Sequence, residues 1–481
     1  MVEDSLRKKT VNGVIWNSID RFTTQGINFV FSILIARMLF PSDYGVIGML
    51  SIFMAVSQCF INSGFGTALI RKNDRTESDF CTVFYFNIVV AFVCYGILWL
   101  GSPYIANFYN LPLLENVTKV WGLNLIITSF SGIQDAKLSI DINFKSRAKI
   151  SVTTSIFTGI IGLWLAYIGY GVWALVFQTL LSNTLRTILL WFAVRWMPKL
   201  IFSWASFKEL FSFGSKLLAS SLLDTIYNNI YTIVIGKRFS ANALGVYSRA
   251  DTFAQFPSSN ITMVLQAVTF PVLSKIQDND VRLANAYRRF LRMSAFVIFP
   301  LMVGLAAVAN PFIRLVLTDK WEGAIIFLQI ICFALMWYPI HAINLNLLQV
   351  KGRSDYFLKL EVIKKILGVS VLCITIPLGL TAMCYGRVFT SVVCLAINTY
   401  YTKKLIGYSF FNQIKDLAHI LLHTFVMGGI VFATVNSLPT LWLQLVFGIL
   451  TGLVYYILGA YFMRFEELQE ILLLLKSKNA K

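Results

Sequence analysis

The chain has 481 residues, 57% hydrophobic and 13% charged, with a mean hydropathy of +0.70. No ordinary soluble domain reaches that balance, so an all-α polytopic membrane protein is expected. The net charge of +18 would suggest nucleic acid in a soluble chain, but here it sits in the connectors and calls for no such partner.

The N-terminus, MVEDSLRKKT, leads into a long polar-studded segment without a small-residue cleavage site. It reads as a retained cytoplasmic start, not a signal peptide. Fourteen spans follow, at about 11–39, 43–70, 80–106, 114–138, 149–169, 171–194, 211–237, 242–273, 287–317, 322–349, 356–377, 379–402, 414–436 and 439–463. The connectors alternate in charge. One side collects Arg7, Lys8 and Lys9, the RKNDR stretch from Arg71, and Lys145 to Lys149. It also takes Arg195 to Lys208, Lys275 to Arg292, Lys351 to Lys365, Lys403 to Lys415 and the tail. The other side has FPSDYG, LPLLEN, IGYG, SANA, IPLGL and NSLPT, nearly without Lys or Arg. The positive-inside rule then places both termini in the cytoplasm. No outward connector exceeds about ten residues, which argues against a membrane glycosyltransferase, polymerase or ligase with an extramembrane domain. The tail from Arg464, RFEELQEILLLLKSKNAK, fits a short helix on the inner surface or ordinary amphipathic packing.

The seventh span, within Phe211 to Phe239, carries Lys216, Ser220, Asp224 and Asn228 at four-residue spacing, with Tyr231 beyond. That spacing stacks them on one helical face. Charge at bilayer depth costs several kcal/mol unless it faces water or a partner. Two readings stay open: a face lining a wet cavity, or a buried Lys–Asp pair pinning two helices. The span also opens a second half. A shift of 200 residues lays Ile35–Val46 on Ile235–Val246, with Asn28 on Asn228, Arg37 on Lys237 and Gly45 on Gly245. A duplicated membrane domain explains the match.

Other spans repeat the polar pattern. Asn17, Arg21, Thr24 and Asn28 share a face of the first, with Asp20 beside them. The sixth carries Gln178, Ser182 and Arg186, and the eighth Arg249, Asp251, Gln255 and Ser259. Asp135 closes the fourth, Trp337, His341 and Asn344 lie in the tenth, and Arg387 in the twelfth. The cationic set is therefore Arg21, Arg186, Lys216, Arg249 and Arg387, against Asp20, Asp224 and Asp251. Some of these must be ion pairs. The remainder would form a basic cavity suited to phosphate or pyrophosphate, which Arg binds bidentately. Asn28, Asn228 and Gln255 join the acids as polar cavity residues. No catalytic grouping, phosphate loop or metal-ligand cluster is found. All seven cysteines lie in apolar spans without a CxxC pair, and no Glu completes an HExxH with His419 and His423.

These residues resemble a family. IARMLFPSDYGVIGML, GFGTALIRKNDRTESDF and FPVLSKIQDNDVRLANAYRRFLRMSAFVIFPLMVGLAAVANPFIRLVLTDKW are similar to bacterial polysaccharide transporters of the MOP superfamily, above all the Wzx-type flippases of the colanic-acid and teichuronic-acid branch. The likeness runs from about Asp4 to Arg464, with a Pro-Val-Leu-Ser-Lys turn after span eight and a Lys-Trp element before span ten as its more specific marks. It implies two six-helix lobes, 1–200 and 201–408, two further helices in 409–464 and a cytoplasmic tail, 465–481. It also implies alternating access that carries an undecaprenyl-pyrophosphate-linked oligosaccharide to the outer leaflet of a bacterial inner membrane. Neither catalysis nor a cofactor is implied. A proton or sodium gradient would drive transport, with the bilayer and the polysaccharide polymerase and export machinery as further partners. A multidrug exporter of the related MATE group is the competing transporter reading, but its cavity should be apolar or acidic to suit cationic drugs.

Overall fold

A computed structural model describes residues 2–62 and 64–479, with side chains for 16, 19–62 and 64–473. Asn17, Arg7, Lys8 and Lys9 lie outside the described side chains. The described chain is helical throughout and packs as two compact units, Met1–Gly245 and Val246–Lys481.

In the first unit ten helices run in order. They are α1 (Val2–Met38), α2 (Pro41–Asn62), α3 (Phe65–Arg71), α4 (Glu77–Tyr109), α5 (Leu113–Trp121), α6 (Leu123–Ser129), α7 (Gly132–Ile140), α8 (Phe144–Tyr167), α9 (Val172–Val194) and α10 (Trp204–Arg238). The starts follow local chemistry: Pro41 sits at the first position of α2, and Thr76 and Asp79 form a capping box at the head of α4. α1 packs along α8, and α10 packs on α2, α3 and α4. An aromatic core of Phe65, Phe80, Phe84 and Trp196 joins α3, α4 and the segment after α9.

The span expected at 114–138 is broken into α5, α6 and α7. The breaks fall at Gly122 and at Phe130–Ser131, just ahead of Gly132, and glycine inside a helix is destabilising. Asn124 meanwhile accepts a bond from Asn183 of α9 at 2.8 Å.

Packing also divides the chain 45 residues beyond the boundary that the repeat suggests, because α10 lies on first-unit helices. The repeat has a physical counterpart inside the first unit, where α2 meets the start of α11 (Ala241–Lys275). A Cβ on Gly45 would come within 1.7 Å of the Ala241 carbonyl oxygen. One on Gly245 would come within 1.7 Å of the Pro41 oxygen. Under the 200-residue shift Pro41 corresponds to Ala241 and Gly45 to Gly245, so the contact is reciprocal, as in an isologous pair. Only glycine admits so close a backbone approach.

The second unit continues with α12 (Asp280–Ala307), α13 (Ala309–Leu317), a 3₁₀ turn (Asp319–Trp321), α14 (Ala324–Leu335), α15 (Tyr338–Val350) and α16 (Ser354–Thr375). After a second 3₁₀ turn come α17 (Leu380–Ile406), α18 (Phe410–Ser437), α19 (Leu441–Phe462) and α20 (Glu466–Asn479). The Lys-Trp element is the first 3₁₀ turn, with Trp321 wholly buried. The Pro-Val-Leu-Ser-Lys stretch is not a turn: it forms the last helical residues of α11. α12 packs on α14, α15 and α18, and α18 on α19. Their interface holds a polar cluster that apolar surroundings require to be satisfied internally. The amides of Asn344 and Gln413 exchange hydrogen bonds at 3.2 and 3.3 Å, while Thr402 donates to Asn344 and Gln413 donates to Tyr287.

Nine of the described helical segments are long and apolar enough to cross a membrane. The other expected spans are present as helix but do not meet that test: α1, the broken α5–α7, α10, α11 and α16. The chain is an all-α polytopic membrane protein.

Candidate polar site

In the first unit the ladder of α10 lies open. Lys216, Ser220, Asp224 and Asn228 are all exposed, as are the neighbouring apolar Leu223 and Ile226. Lys216 makes neither a hydrogen bond nor an ion pair with any described residue. The opposite face of α10 explains the orientation. Leu210 and Gly214 are buried against α3 and α4, and Thr225 meets Cys59 of α2 at 3.1 Å. Burying that side turns the four-residue ladder outward. At the helix head, Lys72 bonds Glu209 at 2.9 Å and Asp79 at 3.2 Å, tying α10 to the α3–α4 turn. Its ammonium is held above the usual lysine range chiefly by the bond to Glu209.

On α1, Arg21 and Asn28 are exposed. Asp20 is buried, 9% exposed, and accepts a hydrogen bond from Thr24 at 3.1 Å. Arg186 of α9 is engaged otherwise, reaching both carboxylate oxygens of Asp135 at 2.9 and 2.7 Å, with Arg147 at 4.0 Å from the same group. This contact, from the one Nη2 to both oxygens, fixes α9 to α7.

In the second unit the same residue types close on one another. Arg387 of α17 donates to Asp251 at 2.6 Å and to Tyr247 at 3.0 Å, and Gln255 donates to the other Asp251 oxygen at 2.5 Å. Tyr247, Asp251 and Gln255 follow at four-residue spacing on α11. Tyr247 was missing from the sequence-derived set, although the spacing that singled out the α10 ladder also reaches it. Arg249 is 6% exposed and lies over the Trp321 ring at 5.7 Å. The cationic residues thus fall into two groups. Arg21 and Lys216 are exposed in the first unit, while Arg186, Arg249 and Arg387 are engaged with carboxylates or aromatic rings.

An exposed ammonium or guanidinium group can bind phosphate oxygens by charge-assisted bonds. The exposed apolar residues flanking the ladder suit an amphiphile rather than a freely soluble anion.

Residues 34–326 match the family model described as Polysaccharide biosynthesis protein. The Teichuronic acid biosynthesis protein TuaB of Bacillus subtilis (strain 168) is 27% identical over 354 residues, covering 73% of each chain. The fold is similar to that of a lipid II flippase, MurJ, in an inward closed conformation. That match has a TM-score of 0.78 at 14% identity, covering 94% of this chain and 99% of the other. An inward-facing multidrug resistance MATE family transporter of the MOP superfamily matches with a TM-score of 0.62 at 15% identity, over 81% of this chain and 98% of that one.

Proposed function

We propose that this chain, which belongs to the polysaccharide biosynthesis protein family, is a flippase for lipid-linked oligosaccharide. It carries an undecaprenyl-pyrophosphate-linked glycan from the cytoplasmic to the outer leaflet by alternating access, without chemical conversion of the substrate. The observation that carries this reading is the open α10 ladder, where an unpaired Lys216 stands among exposed polar and apolar residues.

Lys216 and Arg21 hold the pyrophosphate, and Asn28 and Asn228 give it further hydrogen bonds. Arg186, Arg249 and Arg387 shape the elements around the path through their own partners. Asp20, Asp224 and Asp251 are the candidates for a coupling proton or sodium ion. The basic connectors support a bacterial inner-membrane location with both termini cytoplasmic. Duplicated lobes at 1–200 and 201–408 and a pair of added helices in 409–464 account for the 200-residue repeat. A polymerase and export machinery receive the glycan on the outer face. A cationic-drug exporter of the same fold would need an acidic or apolar ladder, and the unpaired charge on this one is positive.

The test is glycan export in cells carrying Lys216→Glu, Arg21→Glu or the charge-conserving Lys216→Arg. The reading expects export lost in the reversals and largely kept in Lys216→Arg, with folded protein at normal levels throughout. Normal export from both reversals would sink it.

A further inference from the structure

A second charged site lies within the second unit, where α20 folds back against α12 and α19. Three guanidinium groups on α12, Arg288, Arg289 and Arg292, meet three carboxylates of α20, Glu466, Glu467 and Glu470. Arg289 Nε bonds Glu470 at 2.8 Å. Arg292 bonds Glu466 through Nη1 at 2.8 Å and Glu467 through Nε at 2.5 Å. Arg288 grips Asp416 of α18 through Nε and Nη2 at 2.7 and 2.9 Å. With Asn285 and Met293 these residues line a cavity of about 230 Å³.

The pairs leave bonding capacity of both signs in the wall. A guanidinium has five N–H donors, and none of these three spends more than two on the carboxylates. Glu467 is only 2% exposed, yet its Oε2 has no partner among the described residues. Its Oε1 already serves Arg292, with His419 Nε2 at 3.8 Å. A buried carboxylate oxygen without a donor calls for a ligand that can supply one.

With Asp416 counted, four carboxylates stand against three guanidinium groups, so a simple anion gains no net attraction. A small group carrying both signs uses both sets: its phosphate takes the spare guanidinium donors, and its ammonium donates to Glu467. The volume lies below the roughly 300–1,000 Å³ of sites for drug-sized ligands, which suits a headgroup and not a lipid-linked glycan. Beyond the carboxylates, Leu472 and Leu473 of α20 are 40% and 66% exposed, an apolar strip for an acyl chain.

We propose that the α12–α20 cavity binds a phosphoethanolamine group, presented by a zwitterionic phospholipid. The site stands apart from the transport reading and survives its failure.

The test measures the thermal unfolding midpoint of the purified full-length protein in detergent as phosphatidylethanolamine, phosphatidylcholine or phosphatidylglycerol is added. Phosphatidylethanolamine should raise the midpoint at about tenfold lower concentration than the other two. Phosphatidylcholine has no N–H to give Glu467, and phosphatidylglycerol has no ammonium. Soluble phosphoethanolamine is the control for source: a shift only with the lipid assigns the occupant to the membrane, and an equal shift with the soluble ester assigns it to the cytosol. E467Q should remove the preference for phosphatidylethanolamine, and the more exposed E470Q should weaken it if E467Q does not fold. Equal response to all three lipids, or a preference untouched by E467Q and E470Q, would overturn the proposal.

Discussion

In the first unit the four-residue polar ladder of α10 is exposed, whereas in the second the polar side chains of α11 and α17 are closed on one another. Lys216 has no described partner, while Arg387 shares Tyr247 and Asp251, and Asp251 also takes a bond from Gln255. Composition does not distinguish the two sets, since each has a cation, an acid and an amide, although in the second the cation comes from another helix. The difference lies in what packs alongside. α17 brings a guanidinium to α11, whereas the face of α10 that meets α2, α3 and α4 is the other one. Open charge near bilayer depth is costly and points to a hydrated ligand path, whereas closed charge holds helices in register.

The largest effect should come from breaking the closed set. Asp251→Ala leaves Arg387 without its carboxylate in a largely buried position and should destabilise by about 3 kcal/mol. The measurement is thermal unfolding in detergent, and exchanging the two residues, Asp251→Arg with Arg387→Asp, should recover part of the loss. In the open set the response should reverse. Lys216→Glu should slow lipid-linked glycan transfer by about tenfold or more, a barrier change of roughly 1.4 kcal/mol. Its stability should stay within about 0.5 kcal/mol of the parent because no described partner is lost.

An intermediate case sharpens the contrast. Arg186 and Asp135 form an ion pair with side chains 36% and 27% exposed. Arg186→Ala should therefore cost only about 1 kcal/mol, read from the same unfolding curves. The smallest effect belongs to the surface. The Arg353 guanidinium bonds Asp355 at 2.9 and 2.7 Å and holds its carboxyl down at about 2. A depressed carboxyl contributes above its unfolded value of about 3.9 and loses that contribution as pH falls through about 2. Solvent screens this exposed pair, so Asp355→Ala should leave the unfolding midpoint unchanged between pH 5 and 8.

Local patterns in the chain carry the helices and the four-residue ladder, because each repeats within a few turns, while the side the ladder faces is set by packing. Gly45 and Gly245 were legible as a repeat, but their reciprocal approach to Ala241 and Pro41 was not, since a carbonyl contact leaves no periodic trace. The same limit hid the partners: Arg186 meets Asp135 from 51 residues away, and Arg387 meets Asp251 from 136. The break of the fourth span falls at Gly122 and just ahead of Gly132, which hydropathy does not register. The repeat places α10 at the start of a second half, yet packing joins it to the first unit.

The most direct test of transport uses purified protein in liposomes bearing a labelled undecaprenyl-pyrophosphate oligosaccharide, following its movement between leaflets with and without an imposed ion gradient. The account predicts gradient-dependent transfer that is lost in Lys216→Glu and retained in Lys216→Arg. Transfer at the parent rate by folded Lys216→Glu protein would contradict it.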